Sequence, residues 1–233
     1  MFTRSADLYD AVYAFKDYAQ EAERVHELIR ERRPGARTLL DVACGTGKHL
    51  EQLRRWYDVT GVDLDPNLLA VARERLPDVP LHENDMRSFD LGRRFDAVTC
   101  LFSSIGYAGD EVGLRAAIAA MAAHLEPGGV LVVEPWLEPN DWIEGRPHVL
   151  VVDEPELKIA RMNVSSREGR LAIMHFHYLV GTPEGVQHLE ERHEAALFTD
   201  AEYRAAFAAA GLAVDRDEHG LIGRGLYLAT APA

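Results

Sequence analysis

From Ser5 to Gly35 the chain places Leu8, Val12, Phe15, Ala19, Ala22, Val25 and Ile29 at spacings of three and four. That period predicts one amphipathic helix, or two in succession, ended by Pro34 and Gly35. Beyond it, short apolar runs alternate with helical spacing. "TLLDVA", "DVTGVDLD", "VPLHEND", "RFDAVTCLFS" and "GGVLVVEP" read as strands, and "GKHLEQLRRWY", "PNLLAVARERLP" and "DEVGLRAAIAAMAAHL" as the helices between them. Strand and helix taking turns predict an α/β fold with a doubly wound, mostly parallel sheet.

After Pro135 the pattern changes. "VLVVD", "KIARMNVSS", "RLAIMHFHYLVG" and "GVQHLEERHEAALF" are strand-like and separated by the turn signals "EPE", "REG" and "TPEG", as in an antiparallel meander. A last helix, "TDAEYRAAFAAAG", capped by Thr199 and closed by Gly211, precedes two short strands near "LAVDRDE" and "GRGLYLAT". The expected organisation is therefore one sheet domain from residues 1–135 and 198–233, interrupted by an antiparallel β insertion at 136–197 that acts as a lid.

Charge narrows the partners. With 25 Lys+Arg against 38 Asp+Glu the net charge is −13, which repels the phosphates of nucleic acid and of anionic lipid, so neither is an expected partner. No apolar run approaches the ~20 residues of a membrane span. Two cysteines, Cys44 and Cys100, and no charged-then-apolar leader pattern at the N-terminus predict a cytoplasmic protein.

The candidate chemistry begins at "DVACGTGKHL", residues 41–50. A phosphate-binding loop for ATP or GTP needs a glycine five residues before Gly47 and a Ser or Thr after Lys48; Val42 and His49 stand there instead. A dinucleotide fingerprint needs a third small residue at position 50, which is Leu50. S-adenosylmethionine carries no phosphate, so it needs only close backbone approach at Ala43, Gly45 and Gly47 and acidic groups around it. Asp41 starts that lip, Asp63 ends the second strand 18 residues after Gly45, and Asp85 with Met86 ends the third. Asp63 can accept from ribose hydroxyls, Asp85 from the adenine amino group, and Met86 can lie on the ring. Three acids at successive strand ends fall on the edge where open α/β sheets bind ligands. Leu64 and Phe102 flank the same edge.

With "GVDLD", "NDMRSFDLGRRFDAV" and "LEPGGVLVVEP" added to the glycine turn, the chain resembles the class I S-adenosylmethionine-dependent methyltransferases, whose sheet is Rossmann-like. One departure in the turn is Ala43 where many members carry glycine, which a negative φ would accommodate. "LFSSIGY", "AHLEPGG", "VVEPW", "SSREGR", "ALFTDAEYRAAFAAAGL" and "GRGLYL" extend the resemblance to the N,N-dimethyltransferases of thymidine-diphosphate-linked amino sugars, the desosamine and mycaminose type. That resemblance implies a nucleotide-linked amine as the small-molecule acceptor, a homodimer, Tyr107 near the acceptor amine and Arg224 at the diphosphate. It also implies a first helix over the cofactor, which makes Tyr13 a cofactor contact. A tyrosine of the family would fall at Met1 or Phe2. The segments "AFKDY", "PWLEP" and "EHGLIGRGLY" depart from the family pattern, so the sugar, or the class of acceptor, is open.

Methyl transfer to a neutral amine is an in-line displacement that needs alignment and a dry site more than a strong base. Tyr107, His177 and Glu134 are the residues expected to orient the amine, with Trp136 and His175 on the acceptor side. His175 and His177 share one face of their strand, with His188 and His193 on the next. His-x-His on a strand can chelate a metal. No matching acid or cysteine set accompanies the pair in the sequence, and histidines lining a sugar pocket or a dimer surface explain it as well, so no metal is expected.

Overall fold

The computed structural model describes residues 8–233; Met1 and Phe2, where the family tyrosine would fall, lie outside them. The helical period at the N-terminus is divided in two. α1 (Tyr9–Val12) is a single turn, and α2 (Tyr18–Arg32) starts afresh where the Asp17 carboxylate accepts from the Gln20 N–H at 2.9 Å. Phe15, which the spacing assigns to the buried stripe, sits in the intervening loop and is exposed.

The central sheet follows from the apolar runs. β1 (Thr38–Val42), β2 (Asp58–Asp63), β3 (Leu81–Glu83), β4 (Phe95–Cys100) and β5 (Leu125–Val133) are parallel, in the order β3-β2-β1-β4-β5. The final strands, β10 (Ala213–Asp217) and β11 (Leu226–Thr230), extend it; β11 runs antiparallel beside β5. Helices α3 (Lys48–Leu53), α4 (Pro66–Arg75), α5 (Glu111–Ala123) and α6 (Asp200–Ala209) connect the strands and cover the faces. Pro66 opens α4 behind its cap Asp65, and Thr199 with Glu202 forms a reciprocal capping box on α6. The strand order reverses between β1 and β4, and at that switch point the carboxyl ends of the strands open a crevice.

β6 (Pro147–Asp153), β7 (Lys158–Glu168), β8 (Leu171–Thr182) and β9 (Gly185–Ala196) form a separate four-stranded antiparallel sheet. Its inner face is apolar: Ile159, Phe176, Tyr178 and Val180 are buried together with Val12 of α1. β9 also packs on a 3-10 turn at Ser104–Ala108, where a side chain on Gly106 would press on Ala195 and Trp136 at 3.2 Å. α1 and the second sheet thus stand together over the strand ends of the first.

Candidate functional site

The glycine turn leaves β1 in a left-handed conformation. Ala43 has φ +60°, Gly45 +56° and Gly47 +78°. The negative φ expected of Ala43 is thus corrected: the turn reverses so sharply that the alanine takes the backbone for which glycine is suited. Gly47 is needed for space as well, since a Cβ there would meet Leu76 at 3.0 Å. The Asp63 carboxylate holds the turn, accepting from the Gly45 N–H at 2.8 Å through one oxygen and from the Asp65 N–H at 2.8 Å through the other. Burial raises its pKa. Asp41 is fully enclosed at the end of β1, accepts from the Thr99 hydroxyl at 2.7 Å, and is pushed up to about 6 by burial.

A cavity of about 230 Å³ opens over this turn, lined among others by Ala43, Gly45, Asp63, Leu64, Asp85 and Met86. It brings together six of the residues expected at the cofactor. Asp85 does not stand free, because Arg87 pairs with both its carboxylate oxygens and holds its pKa down. The tyrosine of the first helix that faces this cavity is Tyr9; Tyr13, expected there, lines the neighbouring larger cavity instead. Its ring meets Phe102 edge-on at 5.0 Å and its hydroxyl accepts from Arg161 at 3.1 Å. The short α1 puts Tyr9 at the boundary of the two cavities and Tyr13, just after the helix, in the larger one.

The larger cavity, of about 480 Å³, lies between the strand ends and the second sheet. Tyr9, Ser104 and Tyr107 line both cavities and so mark where they join. Across the larger one, the Arg224 guanidinium lies 4.6 Å over the Trp136 ring and donates to the Ser103 hydroxyl at 2.9 Å. Burial lowers its pKa. Phe102 and Ser103 carry φ of +52° and +58°. With Ala43 they are the non-glycine residues of positive φ among those described, so backbone strain collects at the ends of β1 and β4.

Three expected orienting or acceptor residues need correction. Glu134 lies in neither cavity wall: it is fully buried and its carboxylate accepts from the Phe102 N–H at 2.6 Å, fixing the strained turn after β4. His175 and His177 are exposed on the outer face of β8, because the more apolar Phe176, Tyr178 and Val180 take the inner face. His148 of β6 lines the larger cavity, and His193 of β9 is tied to it through Tyr107. His193 is wholly buried, its Nδ1 lies 2.8 Å from the Tyr107 hydroxyl, and its Nε2 lies 3.5 Å from the Glu191 carboxylate. Burial lowers the His193 pKa, which favours the neutral ring. Its signal was in the sequence: Leu189, Glu191, His193 and Ala195 share one parity, and Leu189 and Ala195 point that parity inward.

The donor set suits S-adenosylmethionine. Carboxylates and apolar side chains surround a turn whose Gly45 would face open space with a Cβ, and the one arginine in that wall, Arg87, is neutralised by Asp85. A pyrophosphate would find acid where it needs amide and cation.

Residues 39–129 match the methyltransferase domain family. The chain is 48% identical over 227 residues to the dTDP-3-amino-3,4,6-trideoxy-alpha-D-glucopyranose N,N-dimethyltransferase of Streptomyces venezuelae, covering 96% of both chains. Its fold is similar to the crystal structure of Streptomyces venezuelae DesVI, with a TM-score of 0.93, 47% identity and 98% of each chain covered. It is also similar to S-adenosylmethionine-bound CalS10, an amino pentose methyltransferase from Micromonospora echinaspora, at TM-score 0.88, 47% identity and 96% coverage of each.

Proposed function

Because this chain belongs to the S-adenosylmethionine-dependent dTDP-amino-sugar N,N-dimethyltransferases, we propose that it methylates the amino group of a dTDP-linked deoxy amino sugar held in the larger cavity. The observation that carries this reading is the shared wall of Tyr9, Ser104 and Tyr107, which puts an acceptor in one cavity within reach of a donor in the other. S-adenosylmethionine is the methyl donor, and its sulfonium supplies an activated methyl group to a nucleophile in line with the breaking bond.

The residues of this chain do the rest. Asp63, Gly45, Leu64 and Met86 hold the donor at the strand ends, with Asp41 and Gly47 shaping the turn behind them. Arg224 offers a planar fork to diphosphate oxygens in a protein of net charge −13, and Trp136 beneath it keeps the guanidinium in place. With Nε2–H turned to Glu191, Nδ1 of His193 accepts, so the Tyr107 hydroxyl donates to it and presents oxygen lone pairs to the cavity. An N–H of the acceptor amine can then donate to Tyr107 while the nitrogen lone pair faces the methyl. Tyr107 positions the neutral amine, and its proton leaves to solvent after transfer. α1, through Tyr9 and Tyr13, and the second sheet act as the lid that excludes water.

Relatives of nearly equal identity act on an amino hexose and an amino pentose, so likeness does not choose the sugar. The departures at "AFKDY" and "PWLEP" lie at the acceptor cavity, where Lys16 and Trp136 line the wall. Repeated transfer to one nitrogen, giving a tertiary amine, belongs to the same reading. So do a homodimer formed through the outer face of the second sheet, where Val149, Val151, Met162, Val164 and Leu179 are exposed, a cytoplasmic location, and indifference to nucleic acid and membranes. Among the described residues no helix is long and apolar enough to cross a membrane.

The deciding experiment is mass spectrometry of reactions with S-adenosylmethionine and a panel of dTDP-linked 3-amino and 4-amino sugars, free amino sugars and unrelated amines. Gain of one and then two methyl groups on a nucleotide sugar alone supports the reading. Methylation confined to amines without a nucleotide sinks it.

A further inference from the structure

The histidines turned out of the active site converge on one another. His175 and His177 of β8 and His188 of β9 gather around Glu190, which the register places directly opposite His177. The sequence showed the His-x-His pair without an acid; the pairing of β8 with β9 supplies it. His177 Nδ1 is 3.4 Å from His188 Nε2, and these atoms are 3.6 and 3.7 Å from one oxygen of Glu190. His175 Nε2 lies 3.2 Å from the other oxygen.

We propose that this cluster is a binding site for a divalent cation of the zinc class. Zinc–nitrogen and zinc–oxygen bonds of about 2.0–2.2 Å set tetrahedral ligand–ligand separations of roughly 3.3–3.6 Å. The distances among His177, His188 and Glu190, 3.4, 3.6 and 3.7 Å, run from inside that range to just above it, so only small closure is needed. Imidazole with carboxylate is a borderline donor set, which suits zinc better than the oxygen-seeking calcium or magnesium. Two neutral rings whose nitrogens face each other at 3.4 Å repel unless a proton or a cation lies between them. The side chains are about half exposed, at 46–48%, so an ion can enter and keep a water. Arg192, opposite His175, is turned aside by Glu168 and Glu194, which leaves Glu190 to the histidines.

His177, His188 and Glu190, with His175 beside them, all come from one chain, so the site is complete whether or not a second copy covers the face. Its effect would be mechanical. An ion here ties β8 to β9 on the outer face, and β9 carries Glu191 and His193 on the inner one.

The test uses tag-free protein stripped with EDTA and titrated with zinc chloride alone, read by calorimetry, by zinc retained through gel filtration and by thermal unfolding. One ion per chain is expected, with a rise in Tm. Glu190→Gln, which keeps the shape of the side chain, and His177→Ala should each weaken binding by at least about tenfold, the effect even of losing a group that only supports a ligand. His82→Ala, an exposed histidine of β3, should bind as the wild type does; circular dichroism checks that each variant is folded. The proposal is overturned if the wild type retains no zinc, or if His177→Ala, Glu190→Gln and His82→Ala all retain as much as it does.

Discussion

The Tyr107 hydroxyl and His193 Nδ1 lie 2.8 Å apart, joining the 3-10 turn after β4 to the inner face of β9. The contact fixes which way the phenol donates and therefore which part of it an acceptor meets. Protein surroundings raise the Tyr107 pKa, burial first, so the phenol stays protonated, as the proposed role of a neutral partner to the amine requires. Tyr107→Phe should lower kcat by about 10- to 100-fold, the worth of one hydrogen bond to a group that gains charge, and leave cofactor affinity unchanged. His193→Ala should lower it less, because the hydroxyl remains but loses its direction. Steady-state kinetics in both substrates, with S-adenosylhomocysteine affinity by calorimetry, separates the effects; a matching loss of cofactor affinity would show that Tyr107 serves the donor rather than the amine.

Arg224 is held between Ser103 and Trp136, so its fork is pre-set for an anion. Arg224→Ala should raise KM for a dTDP-linked amino sugar by about 10- to 100-fold with little change in kcat, since hydrogen bonds to charged groups are worth ~1.5–3 kcal/mol. Arg224→Lys should recover only part, because a point charge lacks the fork. An amine substrate without a diphosphate should be indifferent to both changes, and equal losses for the two kinds of substrate would remove the arginine from the diphosphate.

Much of this was legible in the residues. The sheet could be read because buried parallel strands show as apolar runs, and the cavity at its edge because a glycine turn and acids fall at successive strand ends. The break between α1 and α2 was hidden, since Phe15 keeps the helical spacing while Asp17 restarts the helix. The histidines were misassigned because "HFHY" alternates on either reading; only the packing of Phe176 and Tyr178 against α1 decides which parity faces in. Glu134 resembled a catalytic acid by position, and its use as an acceptor for the Phe102 N–H depends on a backbone turn that no side-chain pattern announces.

Asp41 makes stability depend on pH. Burial raises its folded pKa to about 6 from an ordinary 3.8, so the folded chain holds the proton more tightly than the unfolded one. The contribution is complete below about pH 4 and is lost as pH rises through about 6, an effect of at most ~3 kcal/mol. Asp41→Asn keeps an acceptor for Thr99 without the buried charge. The variant without cofactor should therefore match the wild type near pH 4 and be the more stable of the two at pH 7. Urea unfolding at a series of pH values measures this; a difference that stays constant from pH 4 to pH 7 would mean that Asp41 does not titrate in that window.

Ala43 carries a φ of +60° where β1 enters the glycine turn, a conformation that costs an L-residue roughly 1–2 kcal/mol. Ala43→Gly removes that strain but gives the unfolded chain more freedom, worth about 0.4–1 kcal/mol in the opposite direction. The first effect is the larger, so the variant should gain about 0.5–1 kcal/mol in denaturant unfolding. The alanine lines the cavity proposed for the donor, and the change removes only a methyl group, so S-adenosylhomocysteine should bind with nearly the same affinity. Destabilisation by Ala43→Gly would show instead that the methyl group packs against the turn strongly enough to outweigh its strained backbone.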